Sequence, residues 1–154
     1  MSRSGVSYTR DLADAVAEAL NAHSFSLPFV SEVVYVPDER LKDLNALHVQ
    51  IVCRDLILGQ ADRGRNDWQP GINICVLQHV SGVTDAVVGP LVDLVEDIAD
   101  FLTRRSVGAD GQWLWRETTT LDPLYHWEHL REWRQFTSVI RVDYSQFISV
   151  AQRQ

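Results

Sequence analysis

The sequence predicts an α+β domain: a mostly antiparallel sheet with a long hairpin, packed by two helices on one face. Three observations lead there. Segments 8–23 and 85–105 carry apolar residues at helical spacing. Several other segments alternate apolar and polar residues, or run in β-branched and aromatic ones. The order is helix, strands, long helix, strands, which suits hairpin-joined strands with helices covering one side.

The first helix has Leu12, Val16 and Leu20 at four-residue spacing, with Ala13, Ala17 and Ala19 filling between them. Asp11, Asp14 and Glu18 lie off that stripe, so one face is expected to be buried. The early acids suit the positive N-terminal end, and Ser7 or Thr9 is placed to cap it. After a short loop, segment 30–36 contains Val33, Val34, Tyr35 and Val36 and reads as a strand stopped by Pro37. The charged stretch 38–44 reads as a single helical turn or an Ω-like loop.

A second strand is expected at 47–53, with Leu47, Val49, Ile51 and Cys53 on one face. Leu56, Ile57 and Leu58 either extend the sheet or bend away from it. Segment 59–71 is dense in turn formers and poor in apolar residues. It is expected to be an exposed loop at the tip of the hairpin. The returning strand, 72–80, places Ile72, Ile74, Val76 and Val80 on one side.

In the long helix Val88, Leu91, Val95, Ile98 and Leu102 form a continuous stripe, widened by Leu94 and Phe101. Pro90 belongs in a first turn, which places the regular helix start near Val88. Arg104 and Arg105 suit the negative end, and Gly108 is the expected stop. A strand at 113–120 puts Trp113 and Trp115 on the same face. Asp122-Pro123 reads as a turn and 127–133 as a short helix. A final strand, 136–148, has Phe136, Ile140, Val142, Tyr144 and Ile148 in phase.

The 154 residues fit one domain, 1–154, with short flexible tails near 1–6 and 150–154. Hydrophobic residues make up 45% and charged residues 23%, a globular balance that argues against disorder as the main state. Acidic residues outnumber basic ones, 21 to 14, for a net charge of −7. That disfavours a sequence-specific nucleic-acid reader and a polybasic membrane site. Cys53 and Cys75 sit in apolar, strand-like runs and are expected to be reduced core thiols. The first residues lack a signal-peptide pattern, and no run approaches the roughly 20 apolar residues of a membrane span. A cytosolic protein, or part of a particle assembled in a cytosol, is the expectation.

Chemistry-bearing motifs are thin. His126 and His129, with Glu128 between them, could hold a metal from one side of a helix, but the spacing is not that of HExxH. His23, His48 and His79 stand without a nucleophile or carboxylate pattern. No phosphate cradle is present, since glycines 59, 64 and 71 match neither GxxxxGK[ST] nor GxGxxG. Asp93, Glu96, Asp97 and Asp100 line the long helix as a solvated or partner-facing side. No catalytic, cofactor-binding or metal residue is assigned, and no cofactor is expected.

Tryptophan is more suggestive. Trp113, Trp115, Trp127 and Trp133 fall close together, interleaved with Arg116, Arg131 and Arg134. They serve either as core anchors or as subunit-interface anchors, where Trp and Arg are favoured. Arg63, Arg65, Asp67 and Trp68 give the polar hairpin the look of an arm reaching a neighbour, or of a loop folded back on its own domain. The candidate interface residues are therefore Arg63, Arg65, Asp67, Trp68, Trp113 and Trp115.

Several phrases carry a resemblance across nearly the whole chain. They are Asp11-Leu-Ala-Asp-Ala-Val-Ala, Leu44-Asn-Ala-Leu-His-Val-Gln-Ile-Val and Leu91-Val-Asp-Leu-Val-Glu-Asp-Ile-Ala-Asp-Phe-Leu, then Asp122-Pro-Leu-Tyr125 and Leu130-Arg-Glu-Trp-Arg-Gln-Phe-Thr-Ser-Val-Ile. In order and texture the chain resembles the tail-completion, or tail-terminator-like, proteins of long-tailed bacteriophages. The resemblance implies a virion structural subunit with no catalytic residues. It implies a ring, commonly a hexamer, that caps the tail tube and joins it to the head–neck. The implied partners are further copies of the chain, the tail tube protein and neck or connector proteins. DNA would pass through the lumen unread, and an acidic chain suits that. The alternatives are another head–tail connector or neck protein, a cytosolic adaptor, or a metal-dependent hydrolase using His126, Glu128 and His129.

Overall fold

A computed structural model of the chain describes residues 7–37 and 46–150. The elements are α1 (Tyr8–Ala22), β1 (Ser31–Val33), β2 (His48–Asp62), β3 (Arg65–His79), α2 (Asp85–Leu102), β4 (Leu114–Tyr125), α3 (Trp127–Trp133) and β5 (Gln135–Ser149). A short 3-10 turn, Ala109–Gly111, precedes β4. The strands form one five-stranded sheet in the order β1-β2-β3-β5-β4. Only β1 runs parallel to its neighbour; the other pairs are antiparallel. The α+β class and the mostly antiparallel sheet with its long hairpin are as the sequence predicts.

The core lies between one sheet face and the helices. Ile51, Ile74 and Ile140 occupy one row across three strands, and Ile72 faces Val142 in the next. All five are fully buried, as the two-residue period of the strands requires. Leu12, Val16 and Leu20 of α1 close over this face together with Leu91, Leu94, Val95, Ile98 and Leu102 of α2. The opposite face holds a smaller apolar group of Val52, Cys75 and Leu77, flanked by Val34 and Val139.

Polar contacts fix how α1 meets the sheet. The Asn21 carboxamide accepts a hydrogen bond from the Ser31 N–H at 2.7 Å and donates one to the Ser31 carbonyl at 3.3 Å. It thus mimics a strand neighbour for the first residue of β1. Ser7 occupies the helix N-cap, but its hydroxyl accepts from Arg10 Nε at 3.0 Å and caps no backbone N–H. Thr9 lies inside α1.

Helix α2 departs from expectation at both ends. It begins at Asp85, not near Val88, and carries Pro90 in its second turn. Pro90 and Ala86 both face solvent, so water can satisfy the Ala86 carbonyl that the proline leaves without a donor. The helix stops at Leu102, short of Arg105, because Thr103 turns to an extended ψ of 127° and Arg104 follows at a left-handed φ of 65°, before Gly108 is reached. The Thr103 hydroxyl donates to the Ala99 carbonyl at 2.7 Å and lies 3.0 Å from the Thr118 hydroxyl, which accepts from Trp115 Nε1 at 2.7 Å. That relay ties β4 to the end of α2.

Other boundaries shift with the pairing. β1 is only three residues long, and Val30, Tyr35 and Val36 around it are exposed. Segment 59–71 is not a loop. β2 and β3 continue through it in register until only a tight turn at Arg63 and Gly64 remains. Leu56, Ile57 and Leu58 extend β2 rather than bending away. Asp122-Pro123 lies within β4, at a register break between Thr120 and Tyr125, with a cis peptide. The short helix at Trp127–Trp133 and the phase of β5 are as predicted. The expected turn or Ω-like loop at 38–44 and the tails fall outside the described residues, except Val150 of the expected tail 150–154, whose N–H is held by the Gly64 carbonyl at 2.9 Å.

The two thiols differ. Cys75 is buried, and that burial pushes its pKa up to about 11. Cys53 is exposed, contrary to expectation, because it lies where β1 no longer flanks β2; its Sγ lies 3.6 Å from the Thr9 carbonyl at the start of α1. A maleimide at mildly alkaline pH should therefore label Cys53 in the folded protein and Cys75 only after denaturation. Equal labelling rates before denaturation would contradict this packing. Trp113 is 1% exposed. Truncation of Trp113 to Ala should cost about 3–5 kcal/mol in urea unfolding, as for other large buried aromatics. A loss below about 1 kcal/mol would mean that Trp113 is not a core anchor.

Candidate assembly interface

The distal hairpin extends beyond the reach of β1 and stays paired down to its tip. At its tip Asp62 accepts from the Gly64 N–H at 2.9 Å and from Arg65 Nε at 2.8 Å. The Arg65 side-chain bond and the Gly64 N–H hold the Asp62 carboxyl below its ordinary range. The Arg65 guanidinium lies over the Phe147 ring at 5.2 Å, and the Val150 N–H donates to the Gly64 carbonyl at 2.9 Å. The tip is thereby tied to the end of β5 and is not a free arm.

Deeper in, β2 bulges between Cys53 and Asp55, and the extra residue is Arg54. Its side chain turns onto the sheet face that α1 and α2 leave open. There it forms ion pairs with Asp55 at 3.1 Å and with Asp143 of β5, and reaches Asn73 of β3 at 3.3 Å. Asp55, Gly71 and Asp143 form one row across the sheet, and the guanidinium lies over Gly71. A side chain at position 71 would fall on it, which gives the glycine its physical reason. Burial opposes the charge on Arg54, but the bonds to Asp55 and Asp143 outweigh it and hold its pKa above the ordinary value.

A cleft of about 370 Å³ opens around this row, lined by Arg54, Asp55, Arg116, Glu117, Arg141 and Asp143 among others. Its lining comes from β2, β3, β5 and β4, so the open face is concave. Along the rim of the hairpin, Leu56 is 38%, Ile57 60% and Leu58 54% exposed. They lie on β2 beyond the reach of β1, which pairs only with Val49, Gln50 and Ile51. Among the described residues the outer side of β2 after Cys53 has no strand partner.

The six residues singled out by sequence separate into three groups. Arg63 is exposed at the tip, and Arg65 is bound to Asp62 and Phe147. Asp67 is half-buried and accepts from Gln69 Nε2 at 2.6 Å. Trp68 packs edge-on against Tyr8 of α1, with ring centroids 5.0 Å apart. Its indole belongs to the domain's own packing, so the loop-folded-back alternative describes this residue. Trp113 is enclosed by the core, which removes it as an interface anchor, and Trp115 is half-buried in the relay to Thr118. Sequence reasoning missed Leu56, Ile57 and Leu58 as surface residues, although it noted the run. It missed the Arg54–Gly71–Asp143 row entirely, because its partners are 89 positions apart.

The histidines show packing contacts. The His126 and His129 rings stack at 4.7 Å, His129 stacks on Trp133 at 4.2 Å, and His129 Nδ1 lies 3.0 Å from the Thr137 hydroxyl. Among the described residues no three His, Cys, Asp or Glu side chains converge as metal ligands. Nor is any helix there long and apolar enough to cross a membrane. No family model matches this sequence, and no curated protein matches it.

Gly71→Ala should destabilise the protein by about 1–3 kcal/mol through overpacking against Arg54. In an Arg54→Ala background a large part of that cost should vanish, the Asp55 carboxylate that also crowds position 71 accounting for the rest, as a double-mutant cycle in urea unfolding would show. Additive losses would mean that Gly71 serves some purpose other than clearing space for Arg54.

Proposed function

We propose that this chain is a virion structural protein of a long-tailed bacteriophage, a tail-terminator or completion subunit. It works by assembling with copies of itself into a ring that caps the tail tube and joins it to the head–neck. The observation that carries the assembly reading is the outer rim of β2. Three consecutive apolar side chains stand exposed there on a strand edge without a partner among the described residues. A long apolar edge of this kind is a template for pairing, and monomeric proteins normally blunt it with charge, proline or a covering element. Here Leu56, Ile57 and Leu58 follow one another without a charge.

The assignment to a phage tail rests on the sequence resemblance. Its phrases fall largely in load-carrying elements: the opening phrase in α1, the long one in α2, and the closing one across α3 and β5. The net charge of −7 supports a lumen that DNA traverses without adhering.

Light scattering of the full chain across a wide concentration range tests this. The expected result is a homo-oligomer, with rings in negative stain, that Ile57→Lys/Leu58→Glu shifts at least tenfold toward dissociation. That shift corresponds to about 1.4 kcal/mol or more. Both positions are exposed, so the circular dichroism of the variant should match the parent. A parent that stays monomeric throughout would overturn the reading.

A further inference from the structure

Besides the short outer edge of β1, the sheet has two open edges among the described residues, and their chemistry and direction match each other. One is the outer side of β2 from Asp55 to Gln60, where Leu56, Ile57 and Leu58 are exposed. The other is the outer side of β4, the last strand in the order. After the bridge between Val107 and Trp113, its residues 115–121 have no strand beyond them among the described residues. We propose that these two edges pair between neighbouring copies, head to tail, so that one antiparallel sheet runs through successive subunits. This inference rests on the self-assembly reading above and names the surfaces that perform it.

Strand direction permits the contact. β2 is antiparallel to β3, β3 to β5, and β5 to β4, so β4 runs opposite to β2. A second copy held in the same orientation therefore brings its β2 antiparallel to β4, the relation already used inside the sheet. Charge favours it as well. Arg116 sits at a bulge on β4 and makes no ion pair among the described residues, while Asp55, though paired with Arg54, keeps its carboxylate half-exposed on the facing rim. Both line the open face of the sheet. The run Thr118, Thr119, Thr120 on β4 is β-prone and lacks any group that would block a neighbour.

A two-fold contact between β2 strands would also cover the three apolar residues. It would leave both β4 edges open, whereas the head-to-tail contact covers the β2 and β4 edges of every copy once the series closes. Repeating one head-to-tail contact gives a ring where the rotation between neighbours closes, which is the outcome the self-assembly reading expects.

Thiol cross-linking tests the pairing in a Cys53→Ser background, where the remaining thiol, Cys75, is buried. Ile57 and Thr119 both lie on the open face and are exposed. With a short bis-maleimide, Ile57→Cys/Thr119→Cys should give a covalent ladder ending at ring size. Mixing the two single variants should give dimers only, and each single variant alone should give none. Dimers from Ile57→Cys alone would overturn the proposal in favour of the two-fold contact. So would the lack of a ladder from a double variant that still assembles by light scattering; self-assembly would then stand without this pairing. A parent that is monomeric by light scattering would remove both.

Discussion

Strand β3 is hydrogen-bonded along nearly its whole length on both sides, and the rest of the molecule depends on that. Ile72, Ile74 and Val76 face the helices only in the register observed with β2 and β5. A slip of one residue would turn all three to the open face and bring Asn73 and Cys75 inward. Helices α1 and α2 then have one apolar surface to cover, and their buried stripes cover it. The Asn21–Ser31 contact and the Trp115–Thr118–Thr103 relay fix the two helices against opposite edges of the sheet.

The same strand explains the hairpin. β3 continues to Arg65 and carries β2 with it, well past the end of β1. The bulge at Arg54 changes what the strand presents there, and the guanidinium joins β2, β3 and β5 where no helix does so. An ion pair of this exposure contributes modestly to stability. Its role is to hold the geometry of a concave polar face next to an apolar rim. The distal sheet is thus rigid, paired on one side and open on the other.

Much of the fold was legible in the sequence because its signals are periodic and local. The stripes at Leu12, Val16 and Leu20 and at Leu91, Val95, Ile98 and Leu102 are buried as read. The alternation in β5 was legible for the same reason. The misreadings share a cause as well. Segment 59–71 has the glycines and polar residues of a loop, but backbone pairing with β5 holds it as strand despite them. Cys53 alternates correctly with Val49 and Ile51, yet it is exposed because it lies past the end of β1, under only the first turn of α1. Pro90 sits in α2 because tertiary packing of the stripe outweighs one missing hydrogen bond on the solvent side.

The candidate surface divides along the same line. Composition showed that Trp and Arg were plentiful near the hairpin and in the last third, but a core indole and an interface indole have the same sequence. Burial in the core cluster placed Trp113 inside, and contact with Tyr8 took up Trp68. Local pattern by itself determined the class, the two packing helices, the phase of the buried strands and the acidic balance. Those depend on neighbours three, four or two positions away. Only the tertiary structure decided where the sheet ends, which edges stay open, and that Arg54 lies over Gly71 to meet Asp143. Those depend on which distant strands become neighbours, and no local period encodes that.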